Sequence, residues 1–91
     1  MSGFIGSERP YRDGIREAEL QLVAEYPYHD NSGKCYHFRD TDWHLIVWFS
    51  KRKQPLEIGD RILASFAIQS HSIYEAQEQN IANKFHLIRR L

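Results

Sequence analysis

The chain has 91 residues, enough for one domain with a modest core and too few for two independent ones. Lys plus Arg and Asp plus Glu number 12 each, so the formal net charge is zero, which weighs against a protein that coats nucleic acid by charge alone. The 42% apolar and 13% aromatic fractions fit a folded globular chain, the single cysteine excludes an internal disulfide framework, and neither a signal peptide nor a membrane-length apolar run is visible; a cytoplasmic protein without membrane contact is expected.

Residues 1–14 hold Gly3, Gly6, Pro10 and Gly14 and follow neither the helical nor the strand period, as a flexible N-terminal arm would; the folded domain is expected over 15–91. Next, Leu20, Leu22, Ala24 and Tyr26 alternate with Glu19, Gln21 and Glu25, Val23 being the exception. This predicts a first strand over 17–27. Pro27 ends or bends it, and Asp30-Asn31-Ser32-Gly33 supplies the chemistry of a reversal.

The stretch from Lys34 to Phe49 organises the rest. Two runs rich in aromatic and β-branched residues flank the polar Asp40-Thr41-Asp42, which predicts a β-hairpin with strands at 35–40 and 43–49. Successive side chains on a strand face opposite ways. Tyr36 and Phe38 therefore share one face, with Cys35, His37 and Arg39 on the other. In the second run Trp43, Leu45, Val47 and Phe49 form the more apolar face, expected to be core, opposite His44, Ile46 and Trp48. The outer face then carries His37, Arg39, His44 and Trp48 around Ile46. If the faces are the other way round, Trp43 and Phe49 take the place of Trp48.

Ser50 to Pro55 is a basic connector in which Lys51, Arg52 and Lys53 are either a solvated loop or phosphate contacts. Leu56 to Asp60 makes a turn, and 61–69 alternates again, with Ile62, Ala64, Phe66 and Ile68 on one face. For the remainder, the favoured reading is a loop across 70–80 and a closing strand over 83–90. The alternative is a helix within 72–88, because Ser72-Ile73-Tyr74-Glu75 has capping-box form and Tyr74, Ile81, Phe85 and Ile88 fall near the helical period. The expected core includes Leu20, Leu22, Phe38, Leu45, Val47, Phe66 and Ile68.

Five strands in a chain this short predict an all-β fold, closed or partly closed into a small barrel that hides its edges. Phe38-Arg39-Asp40, Val47-Trp48-Phe49-Ser50, Ile58-Gly59-Asp60, and His71 with Tyr74 three residues on resemble in order and spacing the oligonucleotide/oligosaccharide-binding (OB) domains of single-stranded DNA-binding proteins, notably those of phages and other mobile elements. The resemblance spans about 15–91. It departs at Asp42-Trp43, where OB domains often have Gly after the aspartate, and in the neutral charge balance.

The resemblance implies a five-stranded OB-like barrel that lays its ligand across strands two and three, between the loop joining strands one and two and the loop joining strands four and five. Trp48 would stack on a base, Arg39, Lys51, Arg52 and Lys53 would meet phosphates, and His71 and Tyr74 would close over the strand, with His37 and His44 also on that surface. Each has a plainer reading: Trp48 and Tyr74 as packing residues, and His37, His44 and His71 as ordinary hydrogen-bonded side chains.

Enzyme chemistry is not expected, since no Gly-rich phosphate loop, nucleophile elbow or His-x-x-x-His pair occurs. No cofactor or metal is expected either. Cys35, His37 and His44 are the one conceivable ligand set, and they lack the paired cysteines of structural zinc sites. Asp40 and Asp42 read as turn formers. The functional expectation is a small single-stranded nucleic-acid-binding protein, DNA in preference to RNA, accessory to replication, recombination or repair. The alternative is a barrel that binds a protein partner, or itself, through the Trp48 face.

Overall fold

The computed structural model describes residues 14–91; the expected N-terminal arm lies outside them except for Gly14. Five strands follow one another: β1 Arg16–Tyr28, β2 Gly33–Arg39, β3 Leu45–Ser50, β4 Arg61–Tyr74 and β5 Gln77–Arg90. They close in the order β1-β2-β3-β5-β4, and β4 returns to β1. Every pairing is antiparallel except β3 with β5, where Ile46, Val47 and Trp48 run parallel to Asn80, Ile81 and Ala82. This is an OB-like barrel, as expected. The described residues contain no helix.

The interior is built from Leu20 and Leu22 of β1, Tyr36 and Phe38 of β2, Ile46 of β3, Ile62, Ala64, Phe66 and Ile68 of β4, and Ala82 of β5. Leu56, on the β3–β4 connector, plugs one end. Phe85 lies among the interior rings, its centroid 4.2 Å from that of Trp48, 5.3 Å from Phe38 and 5.9 Å from Phe66, all near parallel. Rings this close add about 0.5–1.5 kcal/mol per pair beyond the area they bury. Tyr36 can sit inside because its hydroxyl accepts the Gln54 amide N–H at 2.6 Å, which also ties down the connector.

Two of the register irregularities decide which rings face in. On β1, Leu22 pairs with Phe38 but Ala24 with His37, so Val23 is an extra, bulged residue. Leu20 and Leu22 are interior, whereas Ala24 and Tyr26, expected on the same face, lie beyond the bulge beside outward residues of β2. On β5, the step from His86 to Asn83 is one residue longer than the facing step from Ser65 to Ala67, and Lys84 has φ 51°. The switch lets Ala82 and Phe85, three apart, both reach the core.

All seven residues of the expected core are buried, Leu20, Leu22, Phe38, Phe66 and Ile68 in the barrel interior and Leu45 and Val47 in a second cluster. The faces of β3 are the reverse of those expected. The five residues 40–44 set Arg39 opposite Leu45, so Phe38 faces Ile46 and Tyr36 faces Trp48. Directly opposed residues share a face. Ile46 and Trp48 therefore point inward, while Leu45 and Val47 are buried in a second cluster with Cys35, against Tyr28 and Ile81. Alternation misleads here because both faces of β3 are covered.

Residues 70–80 are neither a loop nor part of a helix. They extend β4 and β5 into a long hairpin in which Tyr74 pairs with Gln77. Its turn is Glu75-Ala76, with φ of 50° and 65°. A two-residue turn with both φ positive matches strand twist but is normally made by Asn or Gly. Gly33 opens β2 for a steric reason, since a Cβ there would lie 2.0 Å from the Ser50 carbonyl oxygen.

The hairpin turn supplies a direct test. An L-residue in the left-handed region costs about 1–2 kcal/mol, and glycine returns about 0.5–1 of that as unfolded-chain entropy. Ala76→Gly should therefore stabilise the domain by about 0.5–1 kcal/mol, raising Tm by a few degrees in calorimetry. A fall in Tm would mean that residues 75 and 76 do not make this turn.

Candidate functional site

The outer faces of β1, β2 and β3 carry a row of rings. By register Tyr26, Cys35 and Phe49 are neighbours across the three strands, and Ala24, His37 and Val47 form the next rung. Tyr26 meets His37 edge to face at 5.0 Å, and Phe49 leans on Tyr28 at 5.2 Å. The far wall is the tip of the β4–β5 hairpin, which brings Tyr74, Glu75, Gln77 and Gln79 to face them across a cleft of about 590 Å³. Large rings are left unusually bare: Phe49 is 44% exposed, Tyr26 52% and Tyr74 63%.

Two titratable groups line this cleft. Burial, with Arg39 adding repulsion, holds the His37 imidazole below its ordinary range, which favours the neutral ring. Burial alone pushes the Cys35 thiol up to about 11, so it stays protonated and behaves as a small apolar side chain. None of the nine residues lining the cleft is Lys or Arg.

The cations lie beyond its ends. Lys51, Arg52 and Lys53 are exposed on the connector, where the Ser50 hydroxyl donates to the Arg52 carbonyl at 2.6 Å and accepts from the Gln54 side chain at 3.0 Å. Lys51 and Arg52 line a groove of about 510 Å³ between the end of β3 and β5, and Phe49 borders both it and the aromatic cleft. At the opposite end Arg39 sits over the Trp43 ring, 5.2 Å from its centroid, and donates to the Trp43 carbonyl at 2.9 Å.

The turn holding Trp43 is organised by Asp40. One carboxylate oxygen accepts the backbone N–H of Asp42 at 3.0 Å and of His44 at 2.8 Å; the other lies 2.9 Å from His44 Nδ1. Asp40 is thus a turn former, and His44 is its structural partner rather than part of the cleft. Trp43 has φ 66° and is 66% exposed. A bulky side chain is rare in that region, where glycine is at ease. Three magnitudes bear on Trp43→Gly: relief of about 1–2 kcal/mol of backbone strain, loss of about 0.5–1 from the cation–π contact, and about 0.5–1 of glycine entropy, which nearly cancel.

Of the expected site residues, His37, Arg39 and Tyr74 reach the outer surface, with His37 and Tyr74 in the cleft itself. Trp48 does not. It is an inward, part-buried residue stacked between Phe85 and Tyr36, at 4.2 Å and 5.7 Å, and Ile46 beside it is fully buried. Trp48 also lines the groove that Lys51 and Arg52 border. His71 pairs with Asn80 on the hairpin arm, half-buried. Cys35, His37 and His44 do not converge, and no group of three His, Cys, Asp or Glu among the described residues could hold a metal ion. Reasoning from the sequence missed Tyr26, which the Val23 bulge turns outward. Phe49 and Trp43 entered only as substitutes for Trp48.

No helix among the described residues is long and apolar enough to cross a membrane. Comparison with known proteins adds no relative, since no family model, curated protein or solved structure matches the chain.

Two predictions follow from this geometry. Trp48→Ala should cost roughly 3–5 kcal/mol of stability by chemical denaturation, as core aromatic truncations do, whereas Phe49→Ala should cost about 1, the worth of one ring pair; the reverse order would return Trp48 to the surface. The second concerns His37, whose folded-state pKa lies below the ordinary 6.5. Above that value the ring is neutral folded or unfolded and contributes nothing. As pH falls through it the unfolded chain binds the proton first, so stability declines until the folded ring is protonated too. The denaturation midpoint should fall between about pH 7.5 and pH 5.5, and by less in His37→Gln. An identical fall in the variant would assign the effect elsewhere.

Proposed function

We propose that this protein binds single-stranded nucleic acid, DNA in preference to RNA, in the cleft between the β2–β3 outer face and the β4–β5 hairpin, and that it serves replication, recombination or repair in the cytoplasm without catalytic chemistry of its own. The observation carrying this reading is the set of bare rings, Tyr26, Phe49 and Tyr74, facing one cleft on an OB-like barrel. Every nucleobase has an aromatic face, and one stacked base contributes about 1–3 kcal/mol. Gln77, exposed on the hairpin, offers an amide group that both donates and accepts, as base edges require, whereas the buried Gln79 already accepts the Ser72 hydroxyl at 3.2 Å.

In this reading stacking is the main source of affinity, because the cleft lining holds no Lys or Arg, and Lys51, Arg52 and Lys53 are flanking phosphate contacts. The same absence favours a second reading, a protein partner that inserts an apolar segment between Tyr74 and Phe49. Titration of labelled oligothymidine at two salt concentrations separates the two. Binding weakened roughly 5- to 150-fold by Phe49→Ala or Tyr74→Ala supports the first reading. Replacing Lys51, Arg52 and Lys53 together with Ala should flatten the salt slope by up to about two units, since a single-strand phosphate contributes about 0.7. No binding at low salt would leave the protein-partner reading.

A further inference from the structure

Trp43 lies outside the aromatic cleft, yet it is the most exposed tryptophan or phenylalanine among the described residues, and it is held in a backbone conformation that glycine would adopt more easily. Its contact with Arg39 does no more than offset the strain of that conformation, so folding gains nothing net from a tryptophan at this position. Resting on the reading of the outer face as a strand-binding surface, we propose that Trp43, backed by Arg39, forms a further stacking station beyond the cleft, so that the single strand runs along β2 and lays a base on the open face of the Trp43 ring.

Position carries the inference. Tyr26 and Phe49 flank Cys35 on one rung of the outer face, with Tyr26 leaning on His37. Arg39 lies two rungs further along β2 on the same face and carries Trp43 at the turn. Cys35 and Arg39 are four residues apart, about 14 Å on an antiparallel strand, so a single strand that touches both spans about four steps of 3.4 Å.

A ligand of that reach, about four nucleotides, is at the short end of the roughly 4–16 that OB domains cover. Arg39 and His37 lie two residues apart on the same face of β2, so the cleft and the Trp43 station are continuous along the strand. The guanidinium has five N–H donors, and its bond to the Trp43 carbonyl holds it beside the ring, where it can also meet the backbone of a strand stacked there.

The chain's two tryptophans make the test direct. In a Trp48→Phe background Trp43 is the only tryptophan, and its fluorescence should be quenched by oligothymidine as a stacked base covers it. With the otherwise native protein, affinity should climb with length to about four nucleotides and then level off. Trp43→Gly should weaken binding of an octathymidine about 5- to 150-fold and move the plateau down by one nucleotide, with Tm changed by no more than a few degrees. Trp43→Phe should restore most of the loss, and a duplex of the same length should compete poorly.

Wild-type affinity in Trp43→Gly, an unquenched Trp43, or equal competition by duplex would overturn the Trp43 station while leaving single-strand binding in place. If the native protein binds no oligothymidine at low salt, the underlying reading fails, and the station with it.

Discussion

The short parallel seam between β3 and β5 is the constraint on which the rest of the structure depends. Only three residue pairs join the strands there, and at their start Asn80, fully buried, donates its side-chain amide to the Leu45 carbonyl at 2.9 Å. A buried amide left unpaired would cost roughly 1–3 kcal/mol, so the bond favours this register over its neighbours. Closing the seam removes the two open edges that a five-stranded sheet would expose. It also fixes where β5 leaves the barrel, and hence where the β4–β5 hairpin stands relative to β3. The cleft is a product of barrel closure.

Aromatic residues serve two populations that alternate along the same strands. Tyr36, Phe38, Phe66, Phe85 and Trp48 stack within the barrel and supply cohesion in a chain too small for a large aliphatic core. Tyr26, Phe49, Tyr74 and Trp43 stand outside, where their exposure is unfavourable in water unless a ligand covers them. The division is maintained by backbone irregularities. The bulge at Val23 turns Tyr26 outward, and the one near Lys84 turns Phe85 inward. A perfectly regular β1 would bury Tyr26 and leave the cleft without one wall.

Charge is segregated in a related way. The cleft is lined by rings, amides, one carboxylate and a neutral imidazole, and cations stand past both ends: Arg39 beside Trp43, and Lys51 and Arg52 beyond Phe49. With a net charge of zero, long-range attraction toward a polyanion is weak, and affinity for one would have to come from contact. This favours a ligand whose recognition lies in its flat faces over one recognised by charge density.

Much of this was legible in the residues. Alternation in β1 before its bulge, in β2 and in the first half of β4 set strand positions close to those observed, and Asp40 was marked as a turn former because its short carboxylate can satisfy nearby backbone N–H groups. Five such segments in so short a chain were enough to determine an all-β barrel, since separate strands would leave their edges unpaired. What only the tertiary structure decided was which way the rings point. β3 is apolar on both faces because the barrel interior covers one and the second cluster the other, so period two could not tell Trp48 from Phe49; the answer lay in the pairing of Arg39 with Leu45 across the turn. The β4–β5 hairpin was hidden for a different reason. Glu75 and Ala76 carry no turn signature, and their positive φ values are imposed by two long strands that pair with each other and leave the connection no other path.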